Sequence, residues 1–151
     1  MEVEVLREQL NSTPPKTEYI SKLLHLFRDA LFKFVPSKSE IHNLIKNDLP
    51  LDNLDGKNIP LIIDRFIHWI EQFQAPVHDN ITKKWREDFK NANNYTDFII
   101  EFLENYMKHT EMVYKEIWDA RVRISNNESP IPPQHRAKGE NGVPDNMKSG
   151  K

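Results

Sequence analysis

Apolar residues recur at intervals of three and four along most of the chain, the spacing of one helix face. No alternating run of β-branched residues bounded by turns competes with it. The densest stretch is Pro60 to Asp79, where Leu61, Ile62, Ile63, Phe66, Ile67, Trp69, Ile70 and Phe73 leave almost no polar side. A helix apolar on nearly every side belongs in the middle of a bundle. Asp64, Arg65, His68 and Glu71 interrupt it, and it is too short to cross a bilayer. Gln74 closes it, and Ala75-Pro76-Val77-His78-Asp79 restarts the chain in a new direction. On this placement Phe66→Ala or Trp69→Ala removes a fully buried aromatic, a loss of roughly 3–5 kcal/mol.

The flanking elements follow the same period. Residues 2 to 10 suit a short helix, stopped before Pro14-Pro15, and Thr17 opens a longer one to about Val35 through Ile20, Leu23, Leu24, Phe27, Leu31 and Phe34. Pro36 ends it, because the residue before proline disfavours helical dihedrals. Ser37-Lys38-Ser39-Glu40 reads as a capping box, with Glu40 reaching back, and starts a helix through Ile41, Leu44, Ile45 and Leu49. Asn58 is the expected cap of the central helix, with Pro60 in its first turn. A helix from about Val77 to Asn91 shows one narrow apolar edge, Val77, Ile81, Trp85 and Phe89. The last helix begins near Thr96, capped by Asn94 or Thr96, and carries Ile99, Leu103, Tyr106, Thr110, Val113 and Ile117. At close to thirty residues it spans roughly 45 Å. From Asn126 onward the chain is polar and proline-rich, the composition of a disordered tail. The expected organisation is therefore an N-terminal segment at 1–16, an all-α bundle of about five main helices at 17–125, and a tail at 126–151. Pro36 and Pro76 fix the reversals. Phe66, Trp69, Ile70 and Phe73 form the central helix, and Ser37, Glu40 and Asp79 hold helix starts.

Composition narrows the function classes. The chain has 151 residues, no cysteine and a formal net charge of -2, so disulfides, thiolate metal sites and a global basic field are all excluded. The four glycines are too few, and too concentrated in the tail, for a phosphate-cradling loop. MEVEVLREQL lacks the basic-then-apolar form of a signal peptide. No apolar run reaches membrane-spanning length. Both point to an intracellular, cytoplasmic protein. Asn, Ile and Lys are over-represented, the bias of an AT-rich genome such as that of a large DNA virus or a protist.

Catalytic chemistry finds little support. His25, His42, His68, His78, His109 and His135 include no H-E-x-x-H and no pair on one helix face with a third ligand nearby, so no metal or other cofactor is expected. His78 and Asp79 are adjacent and point apart on a helix start, where Asp79 instead meets the positive end of the helix dipole. No serine, threonine or lysine stands in a nucleophile setting, and a non-enzymatic protein is expected. Lys83, Lys84, Arg86 and Lys90 surround Trp85 like a nucleic-acid footprint, but Glu87 and Asp88 share the helix, and a solvated face explains them better. Arg121-Val122-Arg123-Ile124-Ser125 has the outline of a basophilic kinase site, and Pro130-Ile131-Pro132-Pro133 that of an SH3 ligand, both short and common patterns. Phe98, Phe102, Tyr114 and Trp118 cannot all face inward with the 99-103-106 stripe, so part of that set is expected as an exposed, partner-binding patch.

The order of the segments resembles the T-complex protein 11 (Tcp11) family. The resemblance rests on Leu31-Phe32-Lys33-Phe34-Val35-Pro36, then Ile41 and Leu44-Ile45, then Leu49-Pro50-Leu51-Asp52, then the apolar helix running into Gln74-Ala75-Pro76-Val77-His78-Asp79. It covers roughly residues 17 to 124. Gln74 and His78 stand where the family has cysteine and arginine, and typical members are far longer, so the chain resembles a short or minimal member. The resemblance implies a non-enzymatic helical adaptor or regulator connected to cyclic-AMP/protein kinase A signalling, with a protein partner. The alternatives are a self-associating structural protein, of a large DNA virus for instance, and a weak nucleic-acid binder through Lys83–Lys90.

Overall fold

The helical period becomes six α-helices in the computed structural model, which describes residues 1–126. They are α1 Val3–Leu10, α2 Glu18–Phe32, α3 Glu40–Asp48, α4 Ile59–Phe73, α5 Asp79–Asn91 and α6 Tyr95–Ser125, with a 3-10 turn at Pro76–His78 and no strand among the described residues. A well-formed α1 thus joins the five main helices that the pattern predicts. The chain divides into two compact units, residues 1–111 and 112–151. The expected tail, with Pro130–Pro133 and His135, lies outside the described residues.

Helix starts are satisfied by groups that differ in part from those expected. At α3 the cap is Ser39, whose Oγ accepts from His42 N at 3.1 Å, while Ser37 is exposed and Glu40 simply begins the helix. The capping box at Ser37–Glu40 is therefore absent: three residues after Ser39 stands His42, which cannot return a carboxylate. Asn58 makes no side-chain cap to α4. Its Oδ1 accepts from Asp55 N at 2.7 Å and its Nδ2 donates to Asn53 O at 3.1 Å, closing the loop before the helix. In that loop Asn53 takes a φ of 62°, the left-handed region that asparagine tolerates better than most residues. Thr17 gives α2 no side-chain cap either; the amide of Tyr19 is taken by Gln9 Oε1 of α1 at 3.0 Å. Of the two caps considered for α6, Asn94 serves, accepting from Asp97 N, whereas Thr96 donates to Asn11, the C-cap of α1, at 2.8 Å.

In the first unit the core is aromatic and centred on α6. Tyr106 is fully buried, stacks on Phe27 of α2 at 5.3 Å, meets Phe66 of α4 edge-on at 5.6 Å and lies 5.9 Å from Trp85 of α5. Its hydroxyl donates to Phe66 O at 2.8 Å, so this polar atom is satisfied inside the core. Ile62, Ile63, Phe66, Ile67 and Ile70 of α4 are buried as expected, but the helix is not apolar on all sides: Leu61 is 68% exposed and Trp69 and Phe73 are half-buried. Phe73 stacks on Phe34 at 4.7 Å, and this contact packs the end of α2 against the end of α4. Leu6 and Leu10 bury α1 in the same unit, with Arg7 paired to Asp97, so residues 1–16 are not a separate segment.

Val77 falls in the 3-10 turn, before α5 begins. The inward edge of α5 is Thr82 and Trp85, both buried, with Phe89 half-buried, so the covered arc lies on the Thr82 side of the 81-85-89 line. Val77 and Ile81, expected on that edge, are exposed.

Of the second unit, residues 112–125 continue α6. Val113 is buried and Tyr114 and Ile117 are half-buried, whereas Trp118, Val122 and Ile124 are 54%, 41% and 58% exposed.

Candidate functional site

A concave feature of the first unit lies between α3 and α4. It is a groove of about 340 Å³ lined by Leu44, Asn47, Asp48, Arg65 and Trp69. Asp48, the last residue of α3, holds the two helices at this edge. Its Oδ2 accepts from Arg65 Nε and from Trp69 Nε1, each at 2.7 Å. Arg65 and Trp69 stand one turn apart on α4, the spacing at which two side chains share a face. Both are kept in place by one carboxylate, and the indole ring forms a wall of the groove. The apolar side of that wall continues outward: Ile41 and Leu44 of α3 are 46% and 52% exposed, and Leu61 lies one turn before Arg65.

Behind this groove a line of ion pairs joins three helices. Arg65 Nη1 lies 3.9 Å from Asp64 Oδ2; Arg86 of α5 donates to Asp64 Oδ1 at 2.7 Å and grips both oxygens of Glu71, at 2.7 and 3.3 Å. For Glu71, desolvation raises the pKa, but the hydrogen bonds from Arg86 and Thr82 and the charges of Arg86 and His68 together bring it below the ordinary glutamate value. Arg86 is shifted the other way, held cationic chiefly by its hydrogen bond to Glu71. Arg86 is therefore part of the scaffold. Lys84 pairs with Asp88 at 2.9 Å, which leaves only Lys83 and Lys90 of the basic strip without an ion-pair partner among the described residues. The strip has lost half its cations to the protein itself, and Trp85 is buried against Phe102 and Tyr106.

A second polar cluster sits where α4 turns into α5. Gln74 Nε2 donates to Asp79 Oδ1 at 3.0 Å and to Thr82 Oγ1 at 3.1 Å, and Gln74 Oε1 faces His109 Nε2 at 2.7 Å. Because the carboxylate only accepts, the amide must present its nitrogen to Asp79 and its oxygen to His109, so His109 Nε2 carries the proton. Gln74, Thr82 and His109 are all buried, and His78 stands edge-on to His109 at 5.9 Å. This is a satisfied network that locks the reversal of the chain. Sequence reading gives Gln74 only the role of closing a helix, and it misses the network because its members lie 35 residues apart. Asp79, read as a first-turn carboxylate, is one, and it also receives Gln74. Among the described residues no group of three or more His, Asp or Glu could hold a metal ion.

The expected patch on α6 is not one surface. Phe102 is a core residue, 2% exposed and packed on Trp85 and Tyr106, because aromatic side chains from α2, α4 and α5 converge on α6 and bury two adjacent stripes of it rather than one. Phe98 is half-buried, packed between Phe89 and Phe102. Tyr114 is half-buried and Trp118 is exposed, both in the second unit. The Arg121–Ser125 pattern lies within the last turn of α6, in helical conformation. The groove residues were missed for a related reason. Ile41, Leu44, Ile45 and Leu49 look like one inward stripe, but a nine-residue helix buries only Ile45, with Leu49 just beyond its end. No described helix is long and apolar enough to cross a membrane.

No family model, no curated protein and no solved structure matches this chain.

Proposed function

We propose that this chain is a non-enzymatic helical module that binds another protein through the α3–α4 groove. One observation carries the reading: exposed leucine and isoleucine side chains flank a tryptophan wall whose position is fixed by Asp48. A groove between two helices with apolar rims suits an amphipathic helix, read through anchors at i, i+3, i+4 and i+7. The resemblance to the Tcp11 family, through the segments at 31–36, 49–52 and 74–79, adds a partner class. It makes the module an adaptor or regulator in cyclic-AMP/protein kinase A signalling, acting in the cytoplasm.

The test is capture from cell lysate by the full chain and by its Leu44→Glu variant, with partners identified by mass spectrometry. Protein kinase A subunits or their anchors, retained by the wild type and lost by the variant, are the expected result. Equal capture by both removes the groove from the reading. Capture of nucleic acid that weakens steeply with salt replaces the protein partner by the basic face of α5.

A further inference from the structure

We infer that the helix received by the α3–α4 groove carries a primary amide, an asparagine or glutamine, among its apolar anchors, and that Asp48 and Arg65 read this amide together. The inference rests on the groove being a docking surface and adds the chemistry of its occupant.

The groove offers little for a charged partner to act on. Its lining holds one acid and one base, Asp48 and Arg65, and the two are already joined, Arg65 Nε donating to Asp48 Oδ2 at 2.7 Å. The same oxygen takes Trp69 Nε1 at 2.7 Å, so the indole has spent its one donor and lines the groove as an apolar wall. Leu44 on α3 is 52% exposed, and Leu61, one turn before Arg65 on α4, is 68% exposed. Both helices therefore offer apolar contact to an incoming helix.

What the pair has not spent is polar. Among the described residues Asp48 Oδ1 accepts no hydrogen bond, and the two terminal nitrogens of Arg65 donate none. Arg65 Nη1 lies 3.9 Å from Asp64 Oδ2, beyond hydrogen-bond reach. The side chains of Asp48 and Arg65 are 33% and 37% exposed, so water serves these groups in the free chain. A helix laid over the groove removes that water. A purely apolar face would leave an acceptor and several donors unpaired, and each unpaired group weakens the complex. A carboxylate on the partner would pair with Arg65 but would meet Asp48 and Asp64. A lysine or arginine would pair with Asp48 but would meet Arg65. A primary amide has a carbonyl oxygen for Arg65 and an NH2 for Asp48 on one planar group, and it brings no charge. It completes both halves of the pair at once.

The test is selection of a displayed library of helical peptides, with leucine at i, i+4 and i+7 and every other position varied, on the full chain, with the full-length Leu44→Glu variant as counter-target. The expected peptides are those that the variant does not hold and that carry asparagine or glutamine at one fixed position beside a leucine. Fluorescence anisotropy of a selected peptide should show binding weakened at least about tenfold when that amide is changed to leucine or to the matching acid. Asp48→Asn, with helix content checked by circular dichroism, should reverse the preference, so that the acid form of the peptide binds better than the amide form. The reason is that Arg65 has then lost the carboxylate that holds it. Peptides that are lost on Leu44→Glu but carry a charged residue, or no fixed polar residue, leave the groove as a docking surface and overturn the amide. An amide preference unchanged by Asp48→Asn overturns the assignment to this pair. No peptide enriched on the wild type over Leu44→Glu removes the groove itself, and this inference with it.

Discussion

Tyr106 concentrates the argument about single side chains. It brings three helices to α6 and carries a hydroxyl into a fully buried site, where a backbone carbonyl accepts its proton. Burial is the main reason that its pKa stands well above the ordinary 10.0, with Thr110 acting weakly in the other direction. A folded-state pKa that is raised contributes stability below the unfolded value and loses it as pH rises through that value and above. Spectrophotometric titration should therefore show Tyr106 ionising only with the loss of helical circular dichroism, and Tyr106→Phe should shift that alkaline unfolding to higher pH. Ionisation of every tyrosine while the helices persist would mean that the core around Tyr106 is open to solvent. Phe66 and Trp69 make the second contrast. Phe66 is fully buried, so Phe66→Ala should cost roughly 3–5 kcal/mol by thermal or urea unfolding. Trp69 is half-buried and its main fixed contact is one hydrogen bond to Asp48, so Trp69→Phe should cost about 1 kcal/mol. Equal losses would place Trp69 in the core after all.

Among the elements, α4 to α5 separates what a pattern can say from what it cannot. The helical period, the stop at Gln74 and the restart after Pro76 were all readable, since each depends on neighbours in sequence. Which flank of the α5 edge is buried was not. A four-residue spacing leaves open which side of Trp85 and Phe89 the neighbouring helices cover, and they cover that of Thr82 rather than that of Ile81. Nor does the pattern reveal that Gln74 faces inward. A glutamine at a helix end is an ordinary surface residue unless a distant partner claims it, and His109 does so from α6. The same limit hid Phe102, whose burial depends on Trp85 arriving from another helix. Exposed Leu44 and Leu61 were hidden in the opposite way, as apolar residues at helical spacing that no neighbour covers. The reversal makes its own prediction. Gln74→Leu keeps the volume but leaves the His109 Nε2–H and the Thr82 hydroxyl without this partner, and should cost about 1–3 kcal/mol. Replacing Gln74 and His109 together by Leu and Phe should recover a good part of that loss. A double variant no better than the single one would show that the network is not what holds the turn.

Across the first unit the ion pairs Asp48–Arg65–Asp64–Arg86–Glu71 form one line over α3, α4 and α5, partly screened by solvent along its length. Isolated surface pairs contribute little, but a line with a bidentate arginine at one end is the geometry in which they add up. Glu71 gives the line a signature in pH. Its folded-state pKa lies below the ordinary value of 4.5, so its contribution is complete above that value and is lost as pH falls below it toward the folded-state pKa. The unfolding free energy of the wild type should therefore fall more steeply on the acid side of pH 4.5 than that of Glu71→Gln, and the two curves should converge at low pH. High salt should narrow the gap between them near neutrality, because the pair is only partly sheltered. Parallel curves over the whole acid range would mean that Arg86 does not hold Glu71 in solution. The groove would then lose part of its setting as well, for Arg86 is what ties Asp64, beside Arg65, to the next helix. Measuring partner capture by the wild type and by Glu71→Gln at pH 7 and at low pH joins the stability line to the docking surface: if both share one support, capture by the wild type should weaken over the same acid range in which the Glu71 contribution disappears.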